Sequence, residues 1–374
     1  MYQEDFEEIR PFHDSEINAV LNGLAKNPFF SQVLHLYFPP NSHQDIIKLL
    51  SNTHSSFDFQ TSFMLKMIKV ILDSTSNGLS SSGIENLSPS VPYLFISNHR
   101  DIILDSAILQ KILHENNFPT SEIAFGSNLM DVPLISEIGR ANKMFIVKRG
   151  GNPRDILKNS TVLSSYIRYA LLEKKISVWI AQRNGRTKDG SDKTEIALLK
   201  MLNLSGDKQV SENVEELNVV PISMSYEFET CDVEKVKELY YSQNEKYEKR
   251  PGEDTTSVIK GVKQNKGRIH LAFGKPLTPK IIADFSKESN ADFFKDMGQF
   301  IDKEVVANYR LWPNNYIAYD LLEKNHTYND KYTEIEKADF ITYLEKSLKC
   351  IEGNTDDIRQ LFLKLYANPI KNNL

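Results

Sequence analysis

The chain has 374 residues, 45 of them Lys or Arg and 50 Asp or Glu, for a formal net charge of −5. That length suits one large α/β domain with an appendage, or two domains, and the acidic balance argues against a nucleic-acid binder. Hydrophobic residues are 40% and charged residues 25% of the chain, which is ordinary for a soluble globular protein.

Cys231 and Cys350 offer neither a disulfide framework nor metal-ligand spacing, so no metal site is expected. The opening MYQEDFEEIR lacks the basic start and apolar core of a signal peptide. The most apolar helical window, Phe63 to Leu72, is interrupted by Lys66 and Lys69 and is too short to cross a bilayer. The expectation is a cytoplasmic protein whose membrane contact is peripheral, on the inner face of the cell membrane.

Residues 1–87 read as a helical N-terminal subdomain. Ile17, Val20, Leu21 and Leu24 share one helix face, and Ile46, Ile47, Leu49 and Leu50 begin another. Phe38, Pro39 and Pro40 separate the two, and Phe63 to Leu72 forms a third. His13, His35, His43 and His54 fall here without metal-ligand spacing. Ser74 to Pro89, rich in Ser, Asn and Gly, reads as a linker.

From Pro92 short apolar runs alternate with helical stretches, the pattern of a βαβ domain over residues 88–328. Strands are expected at Pro92 to Ile96, Ile123 to Phe125, Met144 to Val147, Ile176 to Ala181, Val219 to Tyr226 and Arg268 to Phe273. Helices are expected from Ile102, over Asp155 to Glu173, Lys193 to Leu202, Val233 to Tyr241 and Phe293 to Tyr309. Residues 329–374 read as a C-terminal helical extension broken at Gly353 and Asn354. The fold class is therefore α/β: a central mixed, largely parallel sheet flanked by helices, with the helical subdomain in front.

Three strand ends carry polar clusters: Asn98-His99-Arg100-Asp101, then Lys148-Arg149 before Gly150 and Gly151, then Gln182-Arg183-Asn184-Gly185-Arg186. Open α/β sheets bind ligands outside the carboxyl ends of their strands. Arginines there suit bidentate phosphate contacts. A His at a strand mouth, with an Asp in the next helix turn, is a general-base arrangement, since the Asp can hold one ring nitrogen and leave the other free. Trp179 reads as core, and the aromatic stretch Tyr309 to Tyr319 as packing onto the main domain.

Taken in order, these blocks resemble the glycerolipid acyltransferase family, which includes the glycerol-3-phosphate and 1-acylglycerol-3-phosphate acyltransferases. Its Asn-His-x4-Asp block corresponds to Asn98, His99 and Asp105. Its Gly-x-x-Phe-x-x-Arg block corresponds to Lys143 through Arg149, and its Glu-Gly-x-Arg block to Asn184, Gly185 and Arg186. Its strand with a Pro corresponds to Val219 to Tyr226, and its closing strand to Phe273-Gly274-Lys275-Pro276.

Several positions depart from the family. Asp105 comes six residues after His99 where the family usually has five, which a one-residue bulge or a role for Asp101 would accommodate. Lys143 replaces the usual Gly, Ile146 takes the Phe place, and Asn184 replaces the usual Glu. Arg186 follows Gly185 directly, one residue short of the usual spacing.

The resemblance implies a base, His99, oriented by Asp105, that deprotonates an acceptor hydroxyl for attack on an acyl thioester. Acyl-CoA or acyl carrier protein would donate as co-substrate, with no bound cofactor. Arg149 and Arg186 would hold the acceptor phosphate, with Lys148, Arg183, Asn184 and Gly185 beside them. Asn98 and Arg100 would support the loop. Asn184 leaves open another lipid hydroxyl as acceptor, or a lipid-binding relative without catalysis.

Overall fold

A computed structural model describes residues 6–39, 42–130, 132–243, 247 and 252–372. The opening residues 1–5 and Pro40, on which the leader and helix-break readings partly rest, lie outside these.

Seven strands form one mixed sheet: β1 (Ser76–Ser82), β2 (Leu94–Ser97), β3 (Glu122–Gly126), β4 (Met144–Val147), β5 (Val178–Ala181), β6 (Val219–Tyr226) and β7 (Gly267–Phe273). Their order is β1-β7-β6-β2-β5-β3-β4. Only β6 and β7 run antiparallel; every other neighbour pair is parallel. Parallel central strands need both faces covered, so they read as continuous apolar runs.

Alternation along each strand divides the core between the two faces. Leu94 and Ile96 of β2, with Val178 and Ile180 of β5, pack against the helices Pro153–Arg168, Ile196–Asn203 and Asn290–Ala307. Phe95 and Trp179 face the other way, toward Leu65–Thr75 and Leu104–Glu115. Burying an aliphatic or aromatic side chain of this size stabilises by roughly 1.5–3 kcal/mol.

Two smaller cores lie at the ends of the chain. Ile17, Leu21, Leu24, Phe30, Leu50 and Phe63 unite the N-terminal helices. Ile317, Phe340, Leu344, Phe362 and Tyr366 unite Pro313–Glu323, Glu334–Leu348 and Thr355–Lys371. The C-terminal helical unit therefore takes in a helix that begins at Pro313, ahead of position 329.

The segment Ser74 to Pro89 is not a plain linker. Its SNGLSSS stretch is edge strand β1, paired in parallel with β7. An exposed edge needs no apolar alternation, and Ser80 and Ser82 are fixed by hydrogen bonds to the two ring nitrogens of His270, at 2.8 and 3.1 Å.

Other boundaries shift for local reasons. The helix after His99 starts at Leu104 rather than Ile102, because the Asp101 carboxylate accepts from Ile103 N and Leu104 N at 2.9 and 2.8 Å. That is the work of an N-terminal cap. The helix expected from Lys193 starts at Ile196, since Thr194 N is held by Asp302 and Glu195 N by the Gln182 carbonyl.

Candidate active site

The carboxyl ends of β2, β3, β4 and β5 open into one cleft of about 350 Å³. His99, Lys148, Arg149, Arg183, Asn184, Gly185 and Arg186 all line it, so three loops far apart in sequence meet there. Between them run apolar walls that include Phe125, Leu129, Ile156, Ile180, Leu198 and Met201.

His99 Nδ1 lies 3.0 Å from Asp105 Oδ2. The same oxygen accepts from Arg100 N at 2.7 Å and Asp101 N at 2.9 Å, while Oδ1 accepts from the Tyr226 hydroxyl at 2.9 Å. The carboxylate is fully buried and its hydrogen bonds are met from every side. It is thereby held as an acceptor facing Nδ1, so the ring proton resides there and Nε2 is free to accept another. Burial, then the nearby Asp105 charge, raises the Tyr226 hydroxyl well above its usual pKa, so it stays a donor.

The longer spacing from His99 to Asp105 is absorbed in the bend Asp101–Ile103, and Asp105, not Asp101, reaches the imidazole. Asp101 is occupied in capping the helix.

Asn98 and Arg100 lie behind the cleft, fully buried. The Asn98 amide exchanges hydrogen bonds with the Met224 backbone at 2.7 and 3.0 Å and donates to Asp192, which pins the end of β2 to β6. Arg100 is clamped between Asp192 and Glu229 and stacks over the Tyr309 ring. Thr187 N donates to the His99 carbonyl at 2.7 Å, so the third loop is tied directly to the first.

The cleft's three guanidiniums, on Arg149, Arg183 and Arg186, have no carboxylate in ion-pair contact among the described residues. Arg186 is buried, and its Nη1 finds no hydrogen-bond partner. An unpaired buried cation is costly, so the geometry calls for an anion. Arg149 is exposed at the rim, yet desolvation of its guanidinium against the cleft wall lowers its pKa, with Asp254 and Glu195 opposing that shift. Its guanidinium lies close over the end of β3, its Cζ 2.8 Å from where a Cβ on Gly126 would be.

Lys148 borders the cleft, but its ammonium pairs with Glu8 outside it. Gly185 has φ +77, which favours glycine, and Asn184 is exposed on the rim. Trp179 belongs to the core and also lines the cleft, its ring 6.0 Å from the His99 ring and nearly perpendicular to it. Reading it as core alone missed this second contact.

Sequence reasoning also missed Tyr226, Glu195 and Asp254. Tyr226 ends an apolar strand that approaches Asp105 only in the fold. Asp254 belongs to Glu253–Lys263, a helix with too few apolar residues to stand out. Glu195 borders the cleft at the N-terminus of its helix.

Residues 79–224 match the acyltransferase family. Human dihydroxyacetone phosphate acyltransferase is 26% identical over 209 residues, 54% of this chain and 29% of that protein. Rat mitochondrial glycerol-3-phosphate acyltransferase 1 is 24% identical over 200 residues, 51% of this chain and 23% of that protein. The chain thus aligns with under a third of the length of these curated relatives. The 1-acyl-sn-glycerophosphate acyltransferase PlsC of Thermotoga maritima matches 76% of this chain and 95% of its own at 11% identity and a TM-score of 0.39, too distant to carry an argument. Over residues 79–224 the chain is therefore similar to the acyltransferase family.

Proposed function

We propose that the cleft transfers an acyl group from an acyl thioester, on coenzyme A or acyl carrier protein, to a hydroxyl of a phosphorylated glycerol acceptor. Glycerol-3-phosphate, 1-acylglycerol-3-phosphate and the keto analogue named in the human relative share the chemistry required. The observation that carries the reading is the His99 imidazole, held by buried Asp105, in the same cleft as guanidiniums that lack carboxylate partners among the described residues.

The acceptor phosphate binds Arg149 and Arg186, with Arg183 beside them, and its hydroxyl comes to His99 Nε2. The hydroxyl proton passes to that nitrogen as the oxygen attacks the thioester carbonyl. An O–C bond forms, the C–S bond breaks, and the thiolate leaves, taking up the proton from the imidazolium. Asp105 stabilises the transient imidazolium and fixes the ring. No step requires a covalent acyl-enzyme. A positioned base of this kind supplies about 10²- to 10⁴-fold in rate.

Purified protein given acyl-CoA and glycerol-3-phosphate should release free thiol, and His99→Ala should abolish the release with the fold intact. Retained turnover in that variant refutes the base. Asn184 favours a second reading, in which another lipid hydroxyl is the acceptor, because the family's Glu is absent from the rim. Competition among purified acceptors separates the two, and Asn184→Glu should shift the preference toward glycerol-3-phosphate.

A further inference from the structure

From Lys148 to Lys158 every residue is exposed. This stretch runs from the end of β4 into the first two turns of Pro153–Arg168. It holds Lys148, Arg149, Arg154 and Lys158 against a single carboxylate, Asp155, in a chain of net charge −5. Two large aliphatic side chains protrude next to each other, Ile156 at 49% exposure and Leu157 at 58%. Single exposed aliphatics are common, whereas an adjacent pair among cations beside a cleft calls for a partner.

The helix presents this pair in two directions. Ile156, Ser160 and Leu163, at helical spacing, line the cleft. Arg154, Leu157 and Lys158 share another face, turned to solvent, with the two cations on the far side of the helix from that row and Leu157 between them and it. Leu157 adjoins Ser160, three residues on, so the outer surface meets the lining of the cleft there. Leu129 lines the same cleft, and exposed Val132 follows it three residues later.

The acidic groups here do not cancel the basic ones. Asp155 is tucked against Gly151, and Glu8 pairs with Lys148 while also lying within the field of Lys158. Arg154 and Lys158 form no ion pair among the described residues. No described helix is long and apolar enough to cross a membrane.

We propose that the face formed by Arg154, Leu157 and Lys158 docks on an anionic lipid bilayer, with the cleft opening at the bilayer surface. The cations meet the headgroups and Leu157 enters the interface, which brings the cleft-lining row beside Leu157 to the bilayer surface. Only the purpose of the surface rests on the acyl-transfer reading; its binding can be measured without any turnover.

The experiment uses the full chain and vesicles of equimolar phosphatidylglycerol and phosphatidylcholine, compared with phosphatidylcholine alone. Wild type should sediment with the anionic vesicles and be released by salt. The variant R154Q/L157S/K158Q should bind at least about thirtyfold more weakly, roughly fivefold for each cation removed. Its melting curve and its thiol release with soluble short-chain substrates should match wild type. Wild type that ignores anionic vesicles, or a variant that binds them equally well, overturns the proposal. Capture of an acidic acyl carrier protein through these residues, with no vesicle binding, also overturns it and assigns the face to a protein. Vesicle binding that follows the three residues in a protein releasing no thiol upholds the surface and refutes the acyl-transfer reading instead.

Discussion

Replacing Asp105 with Asn separates the charge of the carboxylate from its shape. The carboxylate accepts from His99 Nδ1, Arg100 N, Asp101 N and the Tyr226 hydroxyl. An Asn carbonyl placed where Oδ2 lies keeps the first three of these. Its amide then points at the Tyr226 hydroxyl, which can rotate to accept. The pocket should survive at a cost of about 1–2 kcal/mol in stability. What disappears is the negative charge behind an imidazole that becomes cationic during proton transfer. That loss should lower kcat by about 10²- to 10⁴-fold, or ~3–5 kcal/mol of barrier. The assay is thiol release from acyl-CoA at saturating acceptor, with a denaturant melt as the control for folding. Tyr226→Phe provides the comparison. It removes one neutral donor and leaves the carboxylate charged, so kcat should fall by less than about tenfold. Full activity in Asp105→Asn, or equal losses in both variants, refutes the reasoning.

Three further outcomes follow from the same geometry. Arg149→Ala should raise the KM for a phosphorylated acceptor by about 10- to 100-fold, the worth of a charge-assisted hydrogen bond, and leave the thioester KM near its starting value in initial-rate measurements. Lys143 holds φ +59 where the family usually has Gly, and burial pulls its ammonium down to about 8. Lys143→Gly should therefore stabilise the fold at neutral pH by ~1–3 kcal/mol, from relief of left-handed strain and of a desolvated charge, less the chain entropy that glycine adds. Between about 8 and 10.5 the unfolded wild type binds the extra proton, so wild-type stability gains on the variant through that window and the charge-derived advantage vanishes above it. Urea denaturation at neutral pH and at the top of that window checks both the size and the sign.

The site was legible where chemistry and pattern coincide. Apolar β2 stops at Ser97, and His99, Arg100 and Asp101 follow at once, so the strand end and the candidate base are visible together. Arg149 and Arg186 could be read in the same way, each just beyond a strand. The choice between Asp101 and Asp105 could not be made from spacing. It depends on the bend that turns Arg100 N and Asp101 N toward the Asp105 carboxylate, and on Tyr226 arriving from another strand. Strand β1 was hidden for a different reason. Leu79 is its only large apolar residue, and its pairing is supplied by β7 and His270 rather than by its own side chains. The ion pair of Lys148 with Glu8 was not legible, because the two lie far apart in sequence.

The C-terminal helices read in the sequence as an extension, yet the loop carrying Arg186 rests on them. Asn368 Nδ2 donates to the Asp189 carbonyl at 2.7 Å, and Asn372 Nδ2 to the Gly190 carbonyl at 3.2 Å. Gly190 has φ +80, and a Cβ there would come within 2.3 Å of the Leu365 carbonyl, so the helix Thr355–Lys371 lies directly on the loop. From beneath, Arg100 reaches Asp192 and Glu229, and Lys235 meets Glu229 at 2.8 Å. Two carboxylates thus face two cations, all four buried, so the cluster closes without a net charge. Tyr366 of that same helix joins it, donating to Asp232 and accepting from Glu229 N. A paired cluster of this kind costs desolvation and resists rearrangement. It holds the loop that bears Arg186 in register with the loop that bears His99, and the proposed proton transfer to an anchored acceptor would depend on that register at the scale of an ångström.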